Sequence, residues 1–495
     1  MPSEAPFPLS LEQEFLRLQH QNDGSAGDFG PRPISSGGWR LTGDLDVEDF
    51  RRALDDVVAR HEALRTELLP GEAAGEDGGE GGGWRNLVHP PGPSPALEVH
   101  DLTAGDASRQ ERSEAFLNDV ESGTFDMSRV PAFWAHVGRL ADDDWIVVLV
   151  AHLPVVDVWS LSLVMRDLVE LYAARRAGRA PELPEIRQYR EYAAHQRTGA
   201  DEAKAARSYG YWRDRLSGAE AVALPTDRPP VAGEPSGTRC DRFAIDAELG
   251  TAAVEFGRSL RCSPFMVLFA AYRVHLLART GQADAVVWTL SPGPGRRRRW
   301  MADTVGYFVN FFPLRTDLTG CRTFRDVVER VRESCLSAFT HEVPFVRLAA
   351  EAGEQIAALE QSDRIAERAR PGFQMSPNPF VLREQEAGGV GCVAAQRRRS
   401  QPLGPDVPDD AILWTAELGA GGELLFAVNS SVDRFDQESM DAMADEFTRV
   451  LRAGVGDPEI RLDELTASVR ASGGGSGAGS VHASGRAAVA AETTS

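Results

Sequence analysis

An imidazole and a carboxylate lie five residues apart in the segment HLPVVDVWS, residues 152–160. His152 can accept or donate a proton near neutral pH, and Asp157 can orient a histidine or neutralise a cation. The segment follows the run WIVVLVA, residues 145–151, which is apolar on both alternating faces and is therefore predicted to be a buried strand. Polar residues on a loop that leaves a rigid strand are well placed to form a site. This pair could serve acyl transfer, and a structural histidine is the alternative.

The composition narrows the classes of partner. The formal net charge of −21 over 495 residues repels phosphate backbones and anionic lipid surfaces, so neither nucleic acid nor membrane is expected as a partner. The five cysteines form no CxxC pair and accompany no His-rich ligand spacing, so neither a disulfide framework nor a metal site is predicted. The sequence shows no secretory leader and no apolar run long enough to cross a bilayer. We expect a cytoplasmic protein without a bound metal.

Helical and strand-like patterns alternate along the chain, which predicts an α/β (α+β) fold. Predicted helices cover 46–65, the stretch after a Ser160 cap, the stretch after Ser263-Pro264, and 436–451. Predicted strands cover 145–151, 286–290 and 305–312, with a hairpin formed by 411–416 and 423–429. The glycine-rich stretch 71–83 is predicted to be a mobile loop.

The chain is long enough for two lobes, and the charged, proline-punctuated stretch 173–188 suggests where they divide. We expect an N-terminal lobe over 1–180 and a C-terminal lobe over 181–467. The Gly/Ser/Ala-rich segment 468–495 is predicted to be a disordered tail.

Several segments match, in order, the motifs of one known family. The most specific are RHEALRT at 60–66 and VGYFVN at 305–310, and residues 152–160 resemble the HHxxxDG motif with its Trp-Ser extension. Weaker matches occur at 8–18, 189–192, 341–345 and 378–380. Over residues 8–465 the chain resembles the condensation domains of nonribosomal peptide synthetases, which form amide bonds in natural-product biosynthesis.

The resemblance implies two chloramphenicol-acetyltransferase-like lobes arranged as a V around a central tunnel. It also implies that donor and acceptor reach this tunnel on the phosphopantetheine arms of acyl or peptidyl carrier proteins. No cofactor bound by the protein itself is expected. The acceptor is an amine or an alcohol, and in the family the second histidine of the motif lies beside it.

The motif departs from the family pattern at that second histidine. Counting back from Asp157 places His152 on the first histidine and Leu153 on the second, and leucine cannot accept a proton. His152 is therefore the candidate catalytic residue, with an architectural role as the alternative. Leu153 is expected to line the tunnel instead.

Other site residues follow from the same resemblance. Asp157 is expected to form a structural ion pair with Arg296 of a Gly-Arg segment. Val158 replaces the glycine of the motif and could narrow the tunnel, which Trp159 and Asn310 are also expected to line. Asn310 could donate a hydrogen bond to a substrate carbonyl or developing oxyanion, and simple packing is the alternative.

Two arginine runs, 296–299 and 397–399, stand out in this acidic chain. They could bind the phosphate of a phosphopantetheine arm or an acidic carrier protein, or form an ordinary solvated face. The predicted function is that of a stand-alone condensation-type acyltransferase that forms an amide or an ester. The alternative is a catalytically inactive relative that binds a carrier-bound substrate and recruits a tailoring enzyme.

Overall fold

A computed structural model of the chain describes residues 5–20, 29, 34–70, 83–92, 95–198, 202–229, 237–360, 368–376, 389–397, 400–403 and 411–472. The strands are β1 (Phe7–Pro8), β2 (Ile34–Gly43), β3 (Thr66–Leu69), β4 (Arg85–Val88), β5 (Ala96–Asp101), β6 (Phe133–Ala141), β7 (Asp144–His152), β8 (Thr238–Ile245), β9 (Asp284–Ser291), β10 (Asn310–Asp317), β11 (Arg370–Met375), β12 (Val390–Ala394), β13 (Gln401–Leu403), β14 (Ala411–Leu418) and β15 (Leu424–Ser431).

The α-helices are α1 (Leu11–His20), α2 (Val47–Arg60), α3 (Arg109–Glu121), α4 (Val158–Ala177), α5 (Tyr189–Gln196), α6 (Glu202–Leu216), α7 (Ala247–Ser259), α8 (Pro264–Thr280), α9 (Gly293–Arg296), α10 (Phe324–Thr340), α11 (Phe345–Glu351), α12 (Gly353–Glu360), α13 (Gln437–Gly456) and α14 (Leu462–Ser472). Short 3-10 turns cover Glu62–Arg65, Leu153–Val155 and Arg299–Met301. None of the described helices is long and apolar enough to span a bilayer.

The first sheet has the strand order β12-β2-β7-β6-β5, and only the β5–β6 pair is parallel. Every residue of β7 is buried, which confirms the predicted strand. Side chains that alternate along β7 enter two separate apolar clusters, one with α2 and α4 and the other with α3. A sheet covered on both faces explains why no polar residue occurs within the run 145–151.

The second sheet has the order β10-β9-β11-β14-β15-β8-β13 and encloses the largest apolar cluster of the protein. Helix α8 lies in that cluster and begins as predicted, with the Ser263 side chain accepting a hydrogen bond from the backbone N–H of Met266. The predicted hairpin is also confirmed, because β14 and β15 pair from Ile412–Ser430 to Leu418–Leu424. The start of α8 and the hairpin could be predicted from the sequence because each depends on residues close together in the chain.

One strand crosses between the two halves of the chain. Strand β12, from the second half, pairs antiparallel with β2 at the edge of the first sheet. A single boundary near residue 180 therefore does not separate all the elements of the two sheets. Helix α14 also extends to Ser472, so residues 468–472 are helical rather than part of a tail. Residues 71–82, 378–380 and 473–495 lie outside the described residues.

Two local predictions, the cap of α4 and the start of β10, are wrong. Helix α4 begins at Val158 and is capped by Asp157 rather than by Ser160. Residues 305–309 are not a strand, and the strand begins only at Asn310. The backbone of 306–308 is bonded instead to the side chains of Asp157 and Ser160, so it needs no neighbouring strand to satisfy its polar groups.

Candidate functional site

His152 ends β7 and is 7% exposed. Its backbone N–H donates to the carbonyl of Ala132 at 3.1 Å, and its ring lies edge-on to Phe29 with the centroids 6.1 Å apart. Within the described part of the chain, no group hydrogen-bonds the His152 ring. Burial lowers the pKa of His152 from 6.5 to about 4, because the apolar surroundings disfavour the imidazolium form. The ring is therefore neutral at pH 7.

Asp157 is buried and links the loop after β7 to the segment 305–309 through hydrogen bonds. Its Oδ1 accepts hydrogen bonds from the backbone of Ser160 at 2.7 Å and from Arg296 Nη2 at 3.3 Å. Its Oδ2 accepts a hydrogen bond from the backbone N–H of Phe308 at 2.9 Å, and its own N–H donates to the carbonyl of Gly306 at 3.1 Å. With every carboxylate contact internal, Asp157 has the geometry of a structural residue.

Arg296 contacts the same two segments as Asp157. Its guanidinium donates to the hydroxyl of Ser160 and to the carbonyl of Thr304, and lies 4.1 Å from the centroid of the Phe308 ring. Burial lowers the pKa of Arg296, and the neighbouring Asp157 carboxylate opposes that shift. Asp157 and Arg296 thus lie within ion-pair distance, and Ser160, whose role the sequence did not indicate, bonds both of them.

Leu153 packs against apolar side chains at the position where the family motif carries its second histidine. It packs, half-buried, against a small cluster formed by Leu9, Leu16, Phe29, Trp84, Tyr307 and Val309. Members of this cluster come from the N-terminal segment, the residue before β4 and the 305–309 segment, so Leu153 packs against several distant parts of the chain. An apolar side chain fits this cluster without leaving an unpaired polar atom.

The next two motif residues differ in exposure. Val158 is 46% exposed at the start of α4, so its side chain reaches solvent. Trp159 is half-buried against the α2–α4 cluster, with its ring centroid 5.9 Å from the Arg296 guanidinium. Its indole Nε1 is buried without a hydrogen-bond partner among the described residues.

Both the nitrogen and the oxygen of the Asn310 side-chain amide form hydrogen bonds within the protein. Its Nδ2 donates to Glu342 Oε1 and to the carbonyl of Val343, each at 3.0 Å, and its Oδ1 accepts from the backbone N–H of Phe345 at 3.0 Å. Glu342 in turn accepts from Ser291 and Arg297. Both amide hydrogens are occupied, so the suggested role as an oxyanion donor is not supported. Asn310 instead holds the loop 342–345 against β10.

A buried polar network missed by the sequence analysis supports the loop after β7. Gln13 is fully buried, and its Nε2 donates to the carbonyl of Pro154 at 2.8 Å and to Asn86 Oδ1 at 3.0 Å. The Tyr189 hydroxyl donates to the carbonyl of Tyr307 and lies 2.7 Å from Ser10 Oγ, from which it can accept a hydrogen bond. The family-like segments 8–18 and 189–192 were the only sequence signal for these contacts.

Glu12 is a second unexpected member of this region. It is 2% exposed and accepts hydrogen bonds from the Tyr192 hydroxyl at 2.8 Å and from Gln196 Nε2. Burial raises the pKa of Glu12 from 4.5 to about 7 because its hydrogen bonds only partly compensate for lost hydration. This carboxyl group can therefore exchange a proton near neutral pH.

Three arginines of the two runs form ion pairs with carboxylates of the protein. Arg296 is buried beside Asp157, and Arg297 donates to Glu342 and to the carbonyl of Phe339. Arg397 pairs with the largely buried carboxylate of Glu121. Residues 398 and 399 lie outside the described residues. Three of the seven arginines thus neutralise internal carboxylates, which leaves them poorly suited to bind a carrier protein.

Comparisons with known proteins place these features in a wider group. A model of the Condensation domain family matches residues 36–361. A linear gramicidin synthase polypeptide from Brevibacillus parabrevis is 32% identical over 84% of this chain. A dimodular nonribosomal peptide synthase from Bacillus subtilis is 30% identical over 93% of it. The chain spans only 5% and 18% of the lengths of these two relatives.

Solved structures add relatives of other lengths. The crystal structure of SgcC5 from Streptomyces globisporus, in complex with (R)-(−)-1-(2-naphthyl)-1,2-ethanediol and sucrose, is 42% identical with a TM-score of 0.82. The likeness covers 92% of this chain and 100% of that one. The X-domain in its complex with OxyB from teicoplanin biosynthesis is 25% identical over 94% of this chain and 96% of that one, with a TM-score of 0.67. These likenesses confirm the expected α/β, chloramphenicol-acetyltransferase-like fold.

Proposed function

This chain belongs to the condensation domain family, and from that premise we propose that it transfers an acyl group from a carrier-protein thioester to the hydroxyl group of a small acceptor, forming an ester. One observation carries the choice of acceptor. SgcC5, which this chain matches over 100% of that protein's length, was crystallised with an aromatic 1,2-diol. An amine acceptor, which would give an amide, is the alternative within the same reaction class.

The donor is an acyl or aminoacyl group carried on a phosphopantetheine arm, so carrier proteins are the proposed partners. The acceptor oxygen attacks the thioester carbonyl carbon, a C–O bond forms and the C–S bond breaks. The hydroxyl proton ends on the leaving phosphopantetheine thiol. The step therefore needs a route for one proton and no further reactant. We also propose that the reaction serves natural-product biosynthesis in the cytoplasm.

The local chemistry supports positioning more than strong base catalysis. Leu153 cannot accept a proton, and a His152 ring whose pKa is about 4 is a weak base although it is neutral at pH 7. A neutral imidazole can still accept a hydrogen bond from an attacking hydroxyl. Holding donor and acceptor together can by itself provide several kcal/mol of the barrier reduction, about 7 to 11 in favourable cases.

The test is a mass-spectrometric assay with the purified chain and an acyl-loaded carrier protein. The acceptors are (R)-1-(2-naphthyl)-1,2-ethanediol and the amino alcohol in which one hydroxyl is replaced by an amine. We expect ester formation with the diol above the rate without protein. Amide from the amino alcohol without ester from the diol would move the assignment to amide formation.

Variants of residues 152–160 test which side chain accepts the proton of the acceptor hydroxyl. We expect His152→Ala to lower the rate of ester formation by at least 10-fold, the lower range for a positioned proton acceptor. His89→Ala is a control, because the His89 imidazole pairs with the half-buried Glu67 and forms no hydrogen bond with residues 152–160. Leu153→His places an imidazole at the family position and is expected to raise the rate. Equal rates in wild type and His152→Ala would remove His152 from the chemistry.

The second candidate function is a non-catalytic one. Two observations favour it, namely Leu153 at the usual histidine position and the likeness to an X-domain solved in complex with OxyB. In that case the chain binds a loaded carrier and holds it for another enzyme. Saturable binding of the loaded carrier, with no product from either acceptor, would favour this role over acyl transfer.

A further inference from the structure

Two histidines and a glutamate meet on one face of the first sheet, away from the motif residues. Glu98 and His100 are two positions apart on β5, so their side chains leave the strand on the same side. His136 lies on β6 and is the register partner of Glu98 in the parallel β5–β6 pair. The three side chains therefore converge on one point of the sheet surface.

The distances between the polar atoms suit a shared ion better than direct hydrogen bonds. Glu98 Oε2 lies 3.5 Å from His136 Nδ1 and 3.6 Å from His100 Nε2. One potential ligand atom from each residue lies within 4.8 Å of the other two. Both Glu98 distances exceed the ordinary hydrogen-bond range of about 2.7 to 3.2 Å. An ion about 2.0 to 2.2 Å from each ligand in a tetrahedral arrangement would separate them by roughly 3.3 to 3.6 Å.

The two imidazoles have nitrogen atoms that nothing else satisfies. Both ring nitrogens of His136, and Nε2 of His100, are buried without a hydrogen-bond partner among the described residues. His136 is only 8% exposed. Buried polar atoms of this kind are uncommon and call for a partner such as a bound ion.

The surroundings give the cluster one closed side and one open side. The ring of Phe116 from α3 lies 5.0 Å from the ring of His100, and Phe125 lies 6.0 Å from His136. The Glu98 side chain is 57% exposed and the His100 side chain 37% exposed. An ion can therefore enter from solvent and keep a water molecule as a further ligand.

We propose that Glu98, His100 and His136 bind one divalent transition-metal ion, with Zn²⁺ as the ion that two imidazoles and a carboxylate suit best. The ion joins β5, the edge strand, to β6. His136 is paired with Val148, four residues from His152 along β7, which corresponds to about 13 Å. At that distance the ion stabilises the sheet and does not contact the reacting groups.

The experiment uses the full chain, without an affinity tag and after treatment with a chelator. Co²⁺ is added in steps while the visible absorption typical of a four-coordinate Co²⁺ site is recorded, and Zn²⁺ is then added in competition. We expect saturation at one equivalent, loss of the absorption on adding Zn²⁺, and a higher Tm with Zn²⁺ present. A wild-type chain that binds neither ion saturably would overturn the proposal.

Single variants identify the ligands. We expect His136→Gln, His100→Gln and Glu98→Gln each to weaken Co²⁺ binding at least 10-fold. His89→Gln is the matched control, because it removes an imidazole that also pairs with a glutamate, at 2.7 Å, but outside the cluster. The exposed Glu98 can be changed without disturbing the core, so its variant remains informative if His136→Gln does not fold. Undiminished one-to-one binding in Glu98→Gln and His100→Gln would contradict the assignment.

Discussion

The side-chain amide of Gln13 donates to the backbone carbonyl of Pro154 at 2.8 Å, and Gln13 is fully buried. This hydrogen bond joins α1 to the loop that carries His152 and Leu153. The same amide exchanges two hydrogen bonds with Asn86, each at 3.0 Å. The N-terminal segment therefore holds the motif loop through a polar contact that lies beneath the surface.

Gln13→Leu should destabilise the protein. Leucine is similar in size but leaves the Pro154 carbonyl and Asn86 Oδ1 buried without a donor, at a cost of about 1 to 3 kcal/mol per group. Unfolding in urea, followed by tryptophan fluorescence, measures the change. Gln437→Leu is the control, because Gln437 is exposed and bonds only Asp441 at the surface. Equal midpoints for the two variants would show that the buried amide contributes nothing.

Asp157→Ala should be among the most damaging single changes in this region. It leaves the Arg296 charge buried without its carboxylate, and breaking one side of a buried ion pair costs about 3 to 5 kcal/mol. Adding Arg296→Met to that variant should recover part of the loss in urea unfolding. Asp463→Ala, in an exposed pair with Arg461, is the control and is expected to change stability little. No recovery in the double variant would mean that Asp157 acts through its backbone contacts alone.

His152 should make the protein less stable in acid. Its pKa is about 4 in the folded chain and 6.5 as the ordinary value, so between these pH values the unfolded chain binds a proton that the folded chain does not. Its contribution to stability is present above pH 6.5 and is lost as the pH falls towards 4, by up to about 3 kcal/mol. His152→Gln should therefore reduce the slope of unfolding free energy against pH in this interval. An unchanged slope would contradict the burial of a neutral ring.

Glu12 should make the protein less stable as the pH rises. Its pKa is about 7 in the folded chain against an ordinary value of 4.5, so the folded chain keeps a proton that the unfolded chain loses. Its contribution is present below pH 4.5 and is lost as the pH rises through 7, by up to about 3 kcal/mol. Glu12→Gln should be more stable than wild type at pH 8 in urea unfolding. A variant that gains nothing at pH 8 relative to pH 5 would exclude a buried carboxylate there.

The strands and helices of the core could be predicted because their patterns are local. Strand β7 was apparent from a continuous apolar run, and α8 from a serine–proline start followed by helical periodicity. The resemblance of residues 152–160 to a family motif likewise located Asp157 and the absence of a second histidine. None of these inferences needed knowledge of which segments meet in space.

Tertiary structure decided the contacts between segments far apart in the chain. The sequence of residues 305–309 predicts a strand, but the side chains of Asp157 and Ser160 hydrogen-bond the backbone of this segment instead. The side-chain amide of Asn310 likewise hydrogen-bonds the loop 342–345. The Glu98, His100 and His136 cluster exists only because β5 and β6 pair in parallel, so linear spacing could not reveal it. Hydrogen bonds and metal ligands are satisfied by whichever group is nearest in space, and sequence patterns report only neighbours along the chain.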